Sequence, residues 1–248
     1  MFRRNDRFVY RADSLDQFSW LEHGFGTRLS NGWPDMSRVV TPKQVHSDIV
    51  LVVPEEAPTG PTARMGSGDA LVSNHPRLLA GIRTADCIPI LLVDARSRLF
   101  GAIHAGWRGT TQQIARKAVE AMMRHFGTHP DDIWAAIGPG IGACCFEVGP
   151  EVAVQFESIF PEAGELNRRM KLDLGEANRR QLVSAGVPDG QIEVSGLCTV
   201  CLEEEFHSYR RDREKAGRML SVIGPSEGWA DAGKARAEAR AFHSHNGV

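Results

Sequence analysis

The chain has 248 residues, 42% hydrophobic and 24% charged, with 29 Lys and Arg against 31 Asp and Glu for a formal charge of −2. That length buries an ample core without disulfide or metal staples, and the composition excludes a disordered or collagen-like chain. The balanced charge excludes a global field for nucleic acid or a membrane, and no apolar run approaches the roughly 20 residues of a membrane span.

The opening residues, MFRRNDRFVY, are charged and lack the apolar core of a signal peptide, so a cytoplasmic protein is expected. Residues 49–53 are β-branched and predict a strand, and the Pro- and Gly-rich residues 54–68 predict a long loop. Residues 78–82 and 88–93 predict two more strands. Leu99–Ala105 follows after DARSR and predicts a hairpin with the run before it. Thr110 or Thr111 is placed to cap a helix with Ile114, Ala118, Ala121 and Met122 on one face, stopped by Gly127 and Pro130. Ile133–Ile137 returns as a strand into GPGIG, residues 173–185 predict a second helix closed by Gly186 and Pro188, and Ile192–Val194 predicts a further strand. From Gly228 the chain is Ala- and charge-rich and is expected to fray. Hairpin and strand–helix–strand units together predict one α/β domain over 1–248 with a mixed sheet.

Three residues at predicted strand ends carry chemistry. His46 in KQVHSDIV and Cys87 in TADCIPILL are expected to begin strands, and His104 in GAIHAGWRG closes one. A four-residue connection with Val93 opposite Arg98 sets Cys87 directly across from His104, with Cβ atoms about 4.5–5.5 Å apart. A five-residue connection would put them on opposite faces. With His46 the set is His2Cys, suited to Zn²⁺ with an open fourth position that lowers the pKa of bound water toward about 7. The residues alone equally allow Cys87 as core filler beside ordinary polar histidines, or as a nucleophile with His104 as its base. Asp86 reads as a general acid/base, a carboxylate behind a ligand, or a turn residue. Arg108, after the glycines of AGWRG, and Arg28 and Arg210, in HGFGTR and SYRRD, offer planar forks for an anion.

Five cysteines, two of them adjacent, fit a reducing compartment. Cys198 and Cys201 form CxxC and, with Cys144 and Cys145, suggest a second zinc site, a redox pair or buried thiols. Buried thiols are the plainer reading, because adjacent cysteines seldom both ligate one ion.

KQVHSDIV, GDALVSN, TADCIPILLVD, GAIHAGWRGT, IGPGIGACCFEVG, GLCTVC and SYRRD occur in this order. Together they closely resemble the YfiH-like family, also called multicopper polyphenol oxidase (laccase) or purine nucleoside phosphorylase proteins, over about residues 23–223. The resemblance implies an α/β sandwich of the YfiH/cysteine-deamidase-like type. It implies zinc on His46, Cys87 and His104, with copper able to substitute, and catalytic roles for Cys87, His104 and Asp86. Arg28, Lys43, Gln44, Arg108 and Arg210 would bind substrate or phosphate. The implied reactions are phosphorolysis of adenosine, inosine, guanosine or methylthioadenosine and hydrolytic deamination of adenosine, by a monomer or weak homodimer.

Three alternatives stand beside it. They are a metal-free Cys–His hydrolase or deamidase, an inactive metal-binding protein, and a copper-dependent polyphenol oxidase (laccase). Oxidation by several coppers needs many histidines; this chain has nine, with one HxH pair at His243 and His245. The sequence also departs from the family's pattern: only LSNGWPDMSRVVTP separates HGFGTR from KQVH where members usually carry a longer stretch. That region of the pocket is expected to be missing or rebuilt.

Overall fold

Short β-branched and apolar runs set the architecture of residues 1–54, 57, 64–164 and 166–228, which the computed structural model describes. The strands are β1 (Phe2–Arg4), β2 (Val9–Ala12), β3 (Leu21–Gly26), β4 (Val39–Lys43), β5 (Val50–Val52), β6 (Arg64–Ser67), β7 (Ala70–Ser73), β8 (Leu79–Thr84), β9 (Ile88–Asp94), β10 (Leu99–Ala105), β11 (Ile133–Ile137), β12 (Glu147–Val148), β13 (Met170–Lys171), β14 (Ile192–Val194) and β15 (Met219–Pro225). The α-helices are α1 (Asp13–Asp16), α2 (Trp107–Thr111), α3 (Ile114–Phe126), α4 (Pro150–Ala153), α5 (Leu174–Ser184) and α6 (Tyr209–Asp212).

Among the described residues, the strands form a seven-stranded sheet, β1-β2-β3-β15-β8-β4-β6, and a six-stranded sheet, β14-β11-β9-β10-β7-β5, beside a β12-β13 pair. Both large sheets are mixed: β4 runs parallel to β6 and β8, β5 to β7, and β11 to β14, while the other pairs are antiparallel. Phe25, Ile82, Leu91, Phe100 and Ile223 fill the space between the sheets. Ile90, Leu92 and Ile103 point the other way, onto Ile114, Ala118 and Met122 of α3 and Leu182 of α5. Both faces of β9 and β10 are therefore buried, which is why their sequences run apolar without alternation. The single α/β domain with mixed sheets agrees with the sequence reading. Ile103→Ala, at a fully buried position, is expected to cost about 2–5 kcal/mol of stability in denaturant titration.

Four expectations need correction. Part of the predicted long loop is strand β6, a short polar edge strand held parallel to β4; residues 55, 56 and 58–63 of that loop lie outside the described residues. The first helix begins earlier, at Trp107 behind Gly106, and breaks at Gln113, whose φ of 65° is left-handed. Thr110 is buried with its hydroxyl accepting from Asn178, so neither it nor Thr111 caps α3.

The hairpin turns one residue later than expected. Asp94 is the last strand residue because its Oδ1 accepts from the Arg96 and Ser97 amides and shapes the turn. Asp94 thus pairs with Leu99, and His104 faces Pro89 instead of Cys87. His46 begins no strand; it lies in the bend between β4 and β5. The predicted fraying tail, 229–248, lies outside the described residues. No helix among those described is long and apolar enough to cross a membrane.

Candidate metal centre and cleft

The chain passes three times from the first sheet to the second, from β4 to β5, from β6 to β7 and from β8 to β9. His46 sits in the first of these passages, Asp69 in the second, and Asp86 and Cys87 in the third. Both His46 (φ 58°) and Asp86 (φ 90°) adopt the left-handed conformation that non-glycine residues avoid, as strained backbone at functional sites often does. His104, near the end of β10, points between the sheets like Ala102 and Phe100 two and four residues before it.

The register shift displaces the Cys87–His104 contact without destroying it. Cys87 lies one step beyond the Ala105–Ile88 pair, against Gly106, and so stays on the same face as His104 in a diagonal relation. A Cβ on Gly106 would sit 3.0 Å from Cys87 Sγ and 3.1 Å from the His46 ring, so glycine is what lets the three approach. Cys87 Sγ is 3.9 Å from His46 Nε2, the two imidazoles meet edge to face at 4.9 Å, and the three donor atoms lie within 4.8 Å of one another. Ligands at 2.0–2.3 Å from a tetrahedral ion are about 3.3–3.7 Å apart, so the set fits one ion with slight contraction.

Asp69, which the sequence reading gave no role, organises the trio. It is fully buried and accepts from the amides of Val45, His46 and Ser47, from the Ser47 hydroxyl, and at 2.7 Å from His104 Nδ1. One carboxylate thereby shapes the His46 bend and fixes the His104 tautomer that turns Nε2 toward Cys87. Its only sequence signal is the GD preceding β7.

Burial raises the Cys87 thiol, but the His104 and His46 imidazoles outweigh it and bring it down to about 6. Burial likewise opposes a charge on His104, yet the Cys87 thiolate and Asp69 lift it to about 9. At neutral pH the free pair is thiolate and imidazolium, so a metal must displace the His104 Nε2 proton. Metal affinity is therefore expected to rise about tenfold per pH unit between those two values and more steeply below the lower one, as read by competition with a chelating dye. A flat profile would remove the trio from metal binding.

The trio lies in a cleft of about 720 Å³. Lys43, Gln44, Arg108 and Arg210 line it. Gln44 is committed to β8, exchanging bonds with the backbone of Arg83, and the Arg210 guanidinium donates to the Cys145 and Glu147 carbonyls. Arg28 does not line the cleft; its guanidinium donates to the Glu203 carbonyl. Asp86 lines it, but Thr199 Oγ1 (2.7 Å) and the Arg210 amide (2.6 Å) each occupy one of its oxygens. These two bonds tie Asp86 to the loop after β14 and to the start of α6 at the cleft wall. Arg64, Arg83, Arg213 and Arg218 also face the cleft, joined there by tertiary structure alone. Residues 29–38 contribute nothing to its lining; Trp33 packs instead on Gly24, Val39, Leu79 and Val222.

The protein is thus a two-sheet α/β domain whose three-donor cluster opens onto a cleft lined by cationic and aromatic side chains. The chain belongs to the multi-copper polyphenol oxidoreductase laccase family, whose model matches residues 28–226. It is 44% identical over 196 residues to the purine nucleoside phosphorylase of Deinococcus radiodurans, covering 78% of this chain and 73% of that protein. Adenosine deaminase RL5, from an unknown prokaryotic organism, is 38% identical over 199 residues, 76% of each chain. The crystal structure of the hypothetical protein YfiH from Bacillus licheniformis matches with a TM-score of 0.80 at 32% identity, covering 91% of this chain and 99% of that one. Among the described residues, the clusters able to hold a metal are this trio and a group of four cysteines. Neither offers the large histidine set that oxidation by several coppers requires.

Proposed function

We propose that this protein is a zinc-dependent purine nucleoside phosphorylase that also deaminates adenosine. One observation carries the reading: two imidazoles and a thiol leave an open side on a cleft that holds both aromatic faces and uncompensated cations. The names of the relatives agree with it. His46, Cys87 and His104 would hold the zinc, which when bound supplies a Lewis acid at its open position.

The protein's own groups do the rest. Trp107, Phe146 and Tyr209 line the cleft and would pack against a purine, with Ile141 and Leu174 excluding water beside them. Lys43, Arg64, Arg83, Arg108 and Arg213 line the cleft without a carboxylate partner among the described residues, leaving their N–H groups for phosphate. Arg108 is stacked on Trp107 at 4.5 Å, which limits the freedom its fork must lose on binding. Phosphate held there attacks the anomeric carbon, and the glycosidic electron pair leaves with the purine. Asp86 is a positioning residue in this scheme: it fixes Thr199 and the backbone of Arg210.

A second reading, a metal-free hydrolase with Cys87 as nucleophile and His104 as base, is favoured by the thiolate–imidazolium pair. Chromatography of adenosine incubated with zinc-loaded protein tests both. The proposal expects adenine and ribose-1-phosphate only when phosphate is present, inosine with or without it, and loss of all three after chelation. Activity that survives chelation supports the hydrolase. No turnover in any condition would sink both.

A further inference from the structure

Outside the cleft's trio the structure brings all four remaining cysteines together. They come from two loops, residues 138–146 after β11 and 195–206 after β14, which leave the same end of two parallel neighbouring strands. The loops are joined by the Gly140–Cys198 bridge, where Gly140 donates to Leu197 and Thr199 to Gly140. We propose that Cys144, Cys145, Cys198 and Cys201 hold a second zinc ion, a tetrathiolate site that clamps these loops and so fixes the wall of the cleft.

The geometry is that of four corners and not of a bonded pair. Cys201 Sγ lies 3.6 Å from Cys144 Sγ and 3.5 Å from Cys145 Sγ, and all four sulfurs fall within 4.8 Å of one another. Four thiolates at 2.3 Å from a tetrahedral ion stand about 3.8 Å apart. Cys198 Sγ accepts from the Gly142 amide at 3.3 Å, with the Val200 and Cys201 amides also directed at it, as suits a sulfur that carries charge. A Cβ on Gly142 would lie 3.3 Å from Cys144 Sγ and 3.2 Å from Cys198 Cβ, so glycine leaves the space the sulfurs need. The tight turn in which Cys145 and Phe146 both donate to Gly142 O lets the adjacent Cys144 and Cys145 converge on Cys201. An all-sulfur set without carboxylate or imidazole suits zinc and disfavours magnesium or calcium.

The clamp bears on the cleft through named bonds. Thr199, between Cys198 and Cys201, donates to Asp86, and the Arg210 guanidinium donates to the carbonyls of Cys145 and Glu147. Arg211 ties the second loop by donating to the Thr199 and Val200 carbonyls. Zinc entering the group displaces thiol protons to solvent and needs no oxidant.

Metal stoichiometry tests it. Protein purified under reducing conditions and dialysed against zinc is expected to hold two zinc ions per chain by mass spectrometry of the elements. Cys198→Ser, Cys201→Ser and His104→Ala are each expected to hold one. Cobalt added to the His46→Ala, His104→Ala double variant is expected to give the intense absorption of a tetrahedral cobalt thiolate. The proposal is overturned by wild-type protein holding a single zinc that His104→Ala removes. It is equally overturned by a folded double variant without the cobalt–thiolate spectrum, or by a disulfide from Cys201 to Cys144 or Cys145 in place of a second zinc. Should the cysteine variants fail to fold, the wild-type stoichiometry and the double variant's spectrum decide it alone.

Discussion

Cys87→Ala is expected to empty the first metal site and to lower both phosphorolysis and deamination of adenosine by about 100-fold or more. Even a residue behind a ligand accounts for about 10–100-fold in metal affinity or activity, and Cys87 is a ligand itself. Loss of activity in this variant does not separate a metal ligand from a nucleophile, because both readings need the sulfur. Cys87→Asp separates them: a carboxylate can replace the thiolate as third ligand but cannot form a thioester. Retained zinc with measurable turnover in Cys87→Asp would establish the metal role. Retained zinc with no turnover, alongside a wild-type enzyme that works after chelation, would establish the nucleophile.

Asp69→Asn is expected to weaken zinc binding at the trio by about 10–100-fold and to destabilise the fold by about 1–3 kcal/mol. The carboxylate accepts five hydrogen bonds, and an amide there brings an N–H₂ against donors that had oxygen to receive them. Both strands of the effect can be read separately, affinity by dye competition and stability by denaturant titration. Burial alone would raise the Asp69 carboxyl, but the hydrogen bonds from His104 and Ser47 hold it well below the usual carboxylate range. Its folded value is thus depressed, so its stabilising contribution is present above the unfolded carboxylate pKa of about 3.9 and is lost as pH falls below it. Wild-type stability should therefore fall more steeply than that of Asp69→Asn under acid conditions. Parallel acid profiles, or wild-type zinc affinity in Asp69→Asn, would show that Asp69 does not orient the site.

The amino-acid sequence determined those features that local chemistry decides. β10 and β11 are found at their predicted bounds because long apolar runs with both faces buried have no competing pattern. The buried face of α3 follows from its periodicity, and α5 from Asp173, whose side chain accepts from the Glu176 amide as a cap should. His46, Cys87 and His104 were legible because their residue types carry chemistry wherever they fall. The CC and CxxC pairs were legible as motifs, but nothing local joined them.

Tertiary structure decided what depends on separate segments meeting. The Asp94 side chain moved the hairpin register by one step on each strand, and only the conserved parity of the strand face kept Cys87 beside His104. β6 forms because β4 offers it an edge, not because its own polar residues favour a strand. Asp69 became the hub of the trio only when β7 lay beside β10 and brought its carboxylate under both the His46 bend and His104. The four cysteines met because β11 and β14 run parallel and release their loops at one end. In every case but the Asp94 turn the partner lies tens of residues away, and the pairing of strands, which no local propensity encodes, sets the distance between them.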